Sequence, residues 1–151
     1  MDATKPTDVE QISAFAAYIR EARAAVNALS AGTGVGVTVL DIAAGAVSLT
    51  VGTDVGRFGV ELVLMTADGA VSIANILGGT EGQIKIFLAL DNDVDIVDGL
   101  QAGGAIYLNQ LPALSSYAMQ TGDVLALVNV DGDGSTVQGF WRELFRQTAL
   151  K

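Results

Sequence analysis

The sequence contains no cysteine and no histidine. Without cysteine the chain forms neither disulfides nor thiolate metal sites, and without histidine it lacks the commonest general base and the commonest zinc ligand. Its three lysines, at 5, 85 and 151, also give no obvious partner for a serine nucleophile. We therefore predict that the protein is not an enzyme and that it needs no cofactor and no metal ion.

Aromatic residues and proline are scarce as well. Aromatic side chains make up 6% of the chain and there are only 2 prolines, whereas half of the residues are apolar and 18 are glycine. Such a composition predicts a core of Val, Ile, Leu and Ala carried on short strands that end at glycines. It is typical of a mainly β protein.

Basic residues are few, and they form no patch. Eight Lys and Arg stand against 17 Asp and Glu, which gives a formal net charge of −9. This charge repels phosphate backbones, so we expect no nucleic-acid partner. No apolar run approaches the ~18–20 residues that span a bilayer, and Met1–Lys5 does not resemble the start of a secretion signal. We expect no membrane partner and a protein made in the cytoplasm.

The segment 7–29 has the pattern of an amphipathic helix. Pro6 precedes a potential N-cap at Thr7, and alanines are frequent. Apolar residues recur at the three-four spacing of a heptad seam: Ile12, Phe15, Ile19, Ala22, Val26 and Leu29. Two interpretations remain open. The seam is a subunit interface where helices of sister chains meet, or it packs on the chain's own sheet.

Residues 30–34, Ser-Ala-Gly-Thr-Gly, predict a hinge after this helix. We therefore divide the chain into an N-terminal helical arm, 1–31, and a β domain, 32–151. Alternating apolar residues in the second part predict nine or ten strands about ten residues apart, which favours an antiparallel sandwich or barrel-like domain. The predicted strands cover 35–39, 47–51, 59–65, two segments of 71–90 on either side of a glycine corner, 94–96, 106–108, 123–130 and 138–145. Pro112 and Ser115-Ser116 predict an irregular loop.

Two acidic segments, Asp91–Asp95 and Asp131–Ser135, place oxygen ligands at alternate positions, as calcium loops do. In the second segment the positions that require Gly and Glu in a calcium-binding EF-hand loop are occupied by Thr136 and Arg142. We interpret both segments as polar turns between strands, with calcium binding as the weaker alternative.

Several motifs in the second half of the chain occur in an order that resembles a β module of tailed-phage structural proteins. They are a Gly-Gly-Thr-Glu-Gly-Gln corner, a strand before an Asp-Gly turn, a short apolar strand, a strand that enters at Gly-Asp, and a closing strand with Trp: 78–83, 94–99, 106–108, 122–128 and 139–143. The resemblance covers about half of the chain, from Val71 to Phe145. Related modules occur in tail fibres, tailspikes and head decoration proteins.

The resemblance implies a structural protein of the virion. The short chain favours a capsid decoration (cement) protein that binds the outside of the head as a homotrimer, with the major capsid protein as its partner and the capsid surface as its location. The alternative is a receptor-binding module of a tail fibre, for which the Leu111–Thr121 segment with Tyr117 would contact the host surface.

Overall fold

The computed structural model of the protein describes residues 14–21, 34–99, 103–109 and 115–149. Residues 14–21 form a helix, and the other described segments contain eleven strands. The strands are β1 (Val35–Ile42), β2 (Ser48–Thr50), β3 (Val60–Ala67), β4 (Val71–Ile73), β5 (Asn75–Leu77), β6 (Ile84–Ala89), β7 (Val94–Val97), β8 (Ala105–Tyr107), β9 (Ser116–Ala118), β10 (Val124–Val130) and β11 (Phe140–Gln147).

The strands form two sheets. The larger sheet has eight strands in the order β1-β3-β6-β10-β11-β8-β5-β2, and the smaller has the order β4-β7-β9. Strands that follow one another in sequence alternate between distant positions in these sheets, so the chain runs around the core instead of folding back in simple hairpins. Only β10 and β11 are both consecutive and paired.

A parallel stack of β1, β3 and β6 forms one side of the large sheet. Val35 pairs with Val60 and Val60 with Ile84, so 25 and then 24 positions separate equivalent residues. The pairs β2–β5 and β4–β7 are also parallel, and they lie on other sides of the core. This spacing is that of a short solenoid whose rungs bury one shared interior.

The interior is aliphatic and is closed by the single tryptophan. Trp141 on β11 is fully buried, and its indole N–H donates a 3.0 Å hydrogen bond to the Ile76 carbonyl. Phe87, Val63, Met65 and Leu125 share this core. The hydrogen bond from β11 to β5 satisfies the one polar group of the indole, which allows Trp141 to fill the interior without leaving a buried donor unpaired.

The prediction of a mainly β fold, with a sandwich or barrel-like domain after an N-terminal helix, is confirmed. Antiparallel pairing was expected. Among the described residues there are nine strand pairs, of which four are antiparallel and five are parallel. The strands flanking the glycine corner pair with other strands and not with each other. The irregular loop was expected at Pro112 and Ser115-Ser116. Pro112 lies outside the described residues, and Ser116 is not in a loop but is the first residue of β9.

Candidate interaction surfaces

Four adjacent strands present an aliphatic surface on the side of the large sheet that faces away from the core. Residues paired across β1, β3, β6 and β10 form three rows of four. The rows, which together we call the aliphatic grid, are Val35, Val60, Ile84 and Val128; Val37, Leu62, Ile86 and Ala126; and Val39, Leu64, Leu88 and Val124. Because side chains alternate along a strand, all twelve project from one face.

The grid is most exposed along β1, the edge strand of the sheet. Val35, Val37 and Val39 are 63–75% exposed, whereas the grid residues on β3, β6 and β10 are half-buried except for Val60, which is exposed, and Ala126, which is fully buried. On the far side β11 adds exposed Leu144 and Phe145. Phe145 pairs with Ala126, and a bulge next to this pair places two successive apolar side chains outside. The grid contains no charged side chain.

The opposite face of the same strands contains an ion pair that is buried in the core. Lys85 Nζ lies 2.5 Å from Glu61 Oε2 and 2.6 Å from the Gly56 carbonyl oxygen, and neither charged side chain is exposed. Glu61 also accepts hydrogen bonds from the Gly56 N–H, at 2.7 Å, and from the Thr38 hydroxyl. Burial lowers the pKa of Lys85 from its ordinary value, although Glu61 opposes this shift. The pair fastens β3 to β6 and to the turn before β3.

The predicted heptad seam is only partly within the described residues. Phe15 and Ile19 lie on the helix 14–21 and are 66% and 41% exposed. The other four seam residues, Ile12, Ala22, Val26 and Leu29, lie outside the described residues. Tyr18, which the heptad pattern did not include, is as exposed as Phe15. The described turns of the helix therefore present apolar side chains to solvent.

The glycine corner at 78–82 is tightly held. The Glu81 N–H donates to the Gly132 carbonyl at 2.8 Å, and Gln83 Oε1 accepts from the Thr80 N–H at 2.8 Å. A Cβ on Gly79 would lie 2.5 Å from Asn129 Nδ2, so only glycine fits there. The hydrogen bonds and the close approach at Gly79 therefore give a structural reason for the residues of the corner.

An open cleft of about 420 Å³ lies beside the corner. Its lining includes Arg57, Thr80, Glu81 and Gly134. The Arg57 side chain lies against Gly52, because a Cβ on Gly52 would be 2.7 Å from Arg57 Nε. The cleft therefore combines one cation and one carboxylate with backbone groups, an arrangement that can accept a polar loop of a partner but contains no recognisable catalytic set.

The segment Asp131–Ser135 forms a turn whose carboxylate is used internally. Asp133 accepts hydrogen bonds from the N–H groups of Ser135, at 2.8 Å, and Val137, at 3.0 Å, and from the Thr136 hydroxyl at 3.0 Å. The two backbone bonds are the main reason why the pKa of Asp133 falls to about 2. Asp131 has a positive φ of 63°, which fits a tight turn.

The segment Asp91–Asp95 likewise takes part in turn hydrogen bonds. Asp91 accepts from the Ala67 N–H at 2.8 Å and from the Asp93 N–H at 3.1 Å, while Asn92 accepts from the Thr121 N–H at 2.7 Å. Within the described residues, no three acidic side chains come close enough together to hold a metal ion. In both acidic segments these hydrogen bonds stabilise turns that connect strands.

Tyr117 is part of a partly buried cluster and is not an exposed contact residue. Its hydroxyl donates to Asp123 Oδ2 at 2.9 Å, and the Arg146 guanidinium lies 4.4 Å from its ring centre. Burial and the neighbouring carboxylate raise the pKa of Tyr117 to about 12. Arg146 is held in turn by Glu143, 2.6 Å away. Sequence reasoning missed this cluster because it joins two local pairs, Tyr117 with Asp123 and Glu143 with Arg146, that are at least 20 residues apart along the chain.

Among the described residues there is no helix of the length and apolarity that crossing a bilayer requires. Comparison with family models, with curated proteins and with solved structures finds no match to this chain. The surfaces that the structure offers for function are therefore the aliphatic grid, the exposed helix face and the cleft beside the glycine corner.

Proposed function

We propose that this chain is a structural protein of a tailed-phage virion, which decorates the outside of the head as a homotrimer and stabilises the shell. The resemblance of Val71–Phe145 to virion β modules suggests the class of protein. The observation that supports an assembly role is the exposure of Phe15 and Ile19 on the helix 14–21. An acidic chain that leaves such side chains in solvent is suited to binding other proteins.

The proposed mechanism is binding energy shared among several contacts. A homotrimer that touches several capsid subunits holds each of them through the others, so its avidity exceeds the affinity of any single contact. The exposed residues of the helix supply one such contact, either between sister chains or with the major capsid protein. No catalytic group is needed for this role.

The test is cosedimentation of the purified chain with capsids that lack it. We expect saturable binding by the wild-type chain and loss of binding by Ile19→Asp, which places a charge on the apolar side of the helix. Arg20→Ala is the matched control, because it also makes the net charge more negative by one but changes an exposed polar position. Binding by Ile19→Asp equal to that of the control would contradict the role of the helix.

A tail location predicts a different result. A receptor-binding module would bind intact host cells and ignore capsids. That outcome would overturn the decoration proposal and move attention to the cleft beside the glycine corner, because the hydroxyl of Tyr117 is already bonded to Asp123.

A further inference from the structure

The strands of the aliphatic grid carry apolar residues on both faces, and three of their polar side chains, Glu61, Lys85 and Asn129, lie on the inner face. On β3 the inner residues include Val63 and Met65 and the outer ones are Val60, Leu62 and Leu64; β6 and β10 show the same property. Strands of this kind occur where a sheet is covered on both sides, whereas a sheet with one face in water alternates apolar and polar residues. The outer face therefore has the composition of a buried surface.

The distribution of charge across the sheet supports the same conclusion. The inner face, although buried, contains the Glu61–Lys85 ion pair, and the outer face has only aliphatic residues at its twelve grid positions. If solvent were the neighbour of the outer face, the polar residues would be expected there. We propose that the aliphatic grid is covered by further copies of this chain, and that it is the core of a self-association interface.

The size of the surface is sufficient for association. Four strands ~4.8 Å apart and five residues long, at ~3.3 Å per residue, cover roughly 300 Å². The exposed Leu144 and Phe145 next to the grid add roughly 200 Å². Two copies that meet face to face through these surfaces bury about 1,000 Å² in total, which is the size at which specific interfaces begin. Such a contact pairs two copies and is separate from the trimer contact proposed above.

The chemistry of the grid favours another copy as its occupant over other partners. The grid offers no hydrogen-bonding side chain to a sugar and no cation to a phosphate, so its partner must be flat and aliphatic. Each copy presents a surface with those properties. The edge strand β1, with sequence VGVTVLDI, also lacks the lysine, proline or bulge that usually protects an exposed edge from pairing.

The experiment compares Val37→Glu with Val47→Glu by sedimentation velocity over a range of concentrations. Both valines are 63% exposed, and both variants change the net charge by the same amount, but only Val37 belongs to the grid. We expect the wild type and Val47→Glu to associate equally and Val37→Glu to associate at least about tenfold more weakly, because interface cores exclude charge. Val39→Gln should weaken association without adding charge.

Three results would overturn the proposal. The first is that the wild-type chain remains monomeric at about 50 µM. The second is that Val37→Glu associates as strongly as the wild type while its Trp141 emission shows that it is folded. The third is that association of the wild type weakens as the salt concentration is raised. The third result would contradict the proposal because copies with a net charge of −9 repel one another, and salt screens this repulsion. Association through an uncharged face should therefore become stronger as salt is added. The mass is measured on the chain alone, so failure to bind capsids leaves this test unaffected.

Discussion

Replacing Lys85 by methionine tests whether the buried ion pair holds the parallel stack together. The substitution keeps most of the side-chain volume and removes the ammonium group. The Gly56 carbonyl then loses its 2.6 Å donor, and Glu61 remains in the core with only the Gly56 N–H and the Thr38 hydroxyl as partners. The variant therefore leaves a buried carboxylate without its counter-charge.

The expected loss in the free energy of unfolding is about 3–5 kcal/mol near neutral pH, the usual cost of removing one partner from a buried pair. Adding Glu61→Gln to Lys85→Met should recover most of the loss. The glutamine can still accept the Gly56 N–H bond, and its amide can donate to the carbonyl that Lys85 served.

The assay is urea unfolding followed by the fluorescence of Trp141, which is the only tryptophan and lies fully in the core. With a slope of about 2 kcal/mol per molar urea, the midpoint should fall by about 1.5–2.5 M. Protein concentration is kept fixed, since self-association would add to the apparent stability. A fall of less than about 0.5 M, or a double variant less stable than Lys85→Met, would refute the reasoning.

Two further substitutions test other parts of the fold. Gly79→Ala should cost about 1–3 kcal/mol and shift Trp141 emission, because the new Cβ would lie 2.5 Å from Asn129 Nδ2 and 2.6 Å from the indole. Gly45→Ala should also lower stability, because Gly45 has a φ of 81°, but its Cβ meets no atom within 4 Å and the emission should stay unchanged. For Tyr117, the folded chain keeps its proton up to about pH 12 and the unfolded chain to about 10. Stability should therefore fall between these values, and denaturant titrations should show a smaller fall in Tyr117→Phe.

The sequence was a good guide to where strands occur but not to which face of a strand points inwards. Within the predicted strand 59–65, alternation places Val60, Leu62 and Leu64 on one side, yet the fully buried side is the one with Glu61, Val63 and Met65. Because both faces are apolar, alternation alone cannot tell them apart. A buried carboxylate is also contrary to what hydrophobicity predicts, and only the position of Lys85 in the next strand of the stack explains it.

Strand pairing was harder to predict than strand location, for a related reason. The partners of β3 are 24 or 25 positions away on either side, and no local turn signal specifies such a pairing. The helix was predicted over 7–29, and the described part, 14–21, is helical. The two interpretations of its seam, and the division of the chain at residue 31, stay predictions. Trp141, which the sequence placed on the closing strand, is fully buried in the core.

The parallel register of β1, β3 and β6 makes the chain extensible. Duplicating residues 60–83, the segment between equivalent positions of β3 and β6, would add one more strand in the same orientation to the stack, with three more aliphatic side chains on the outer face, and would repeat β4 and β5 with it. The width of the contact surface is thus set by the number of units and not by the detail of any loop. Lineages could enlarge or reduce an assembly contact in whole steps, by gaining or losing a unit, while the strands on either side of the change pair in the register that β1, β3 and β6 already share.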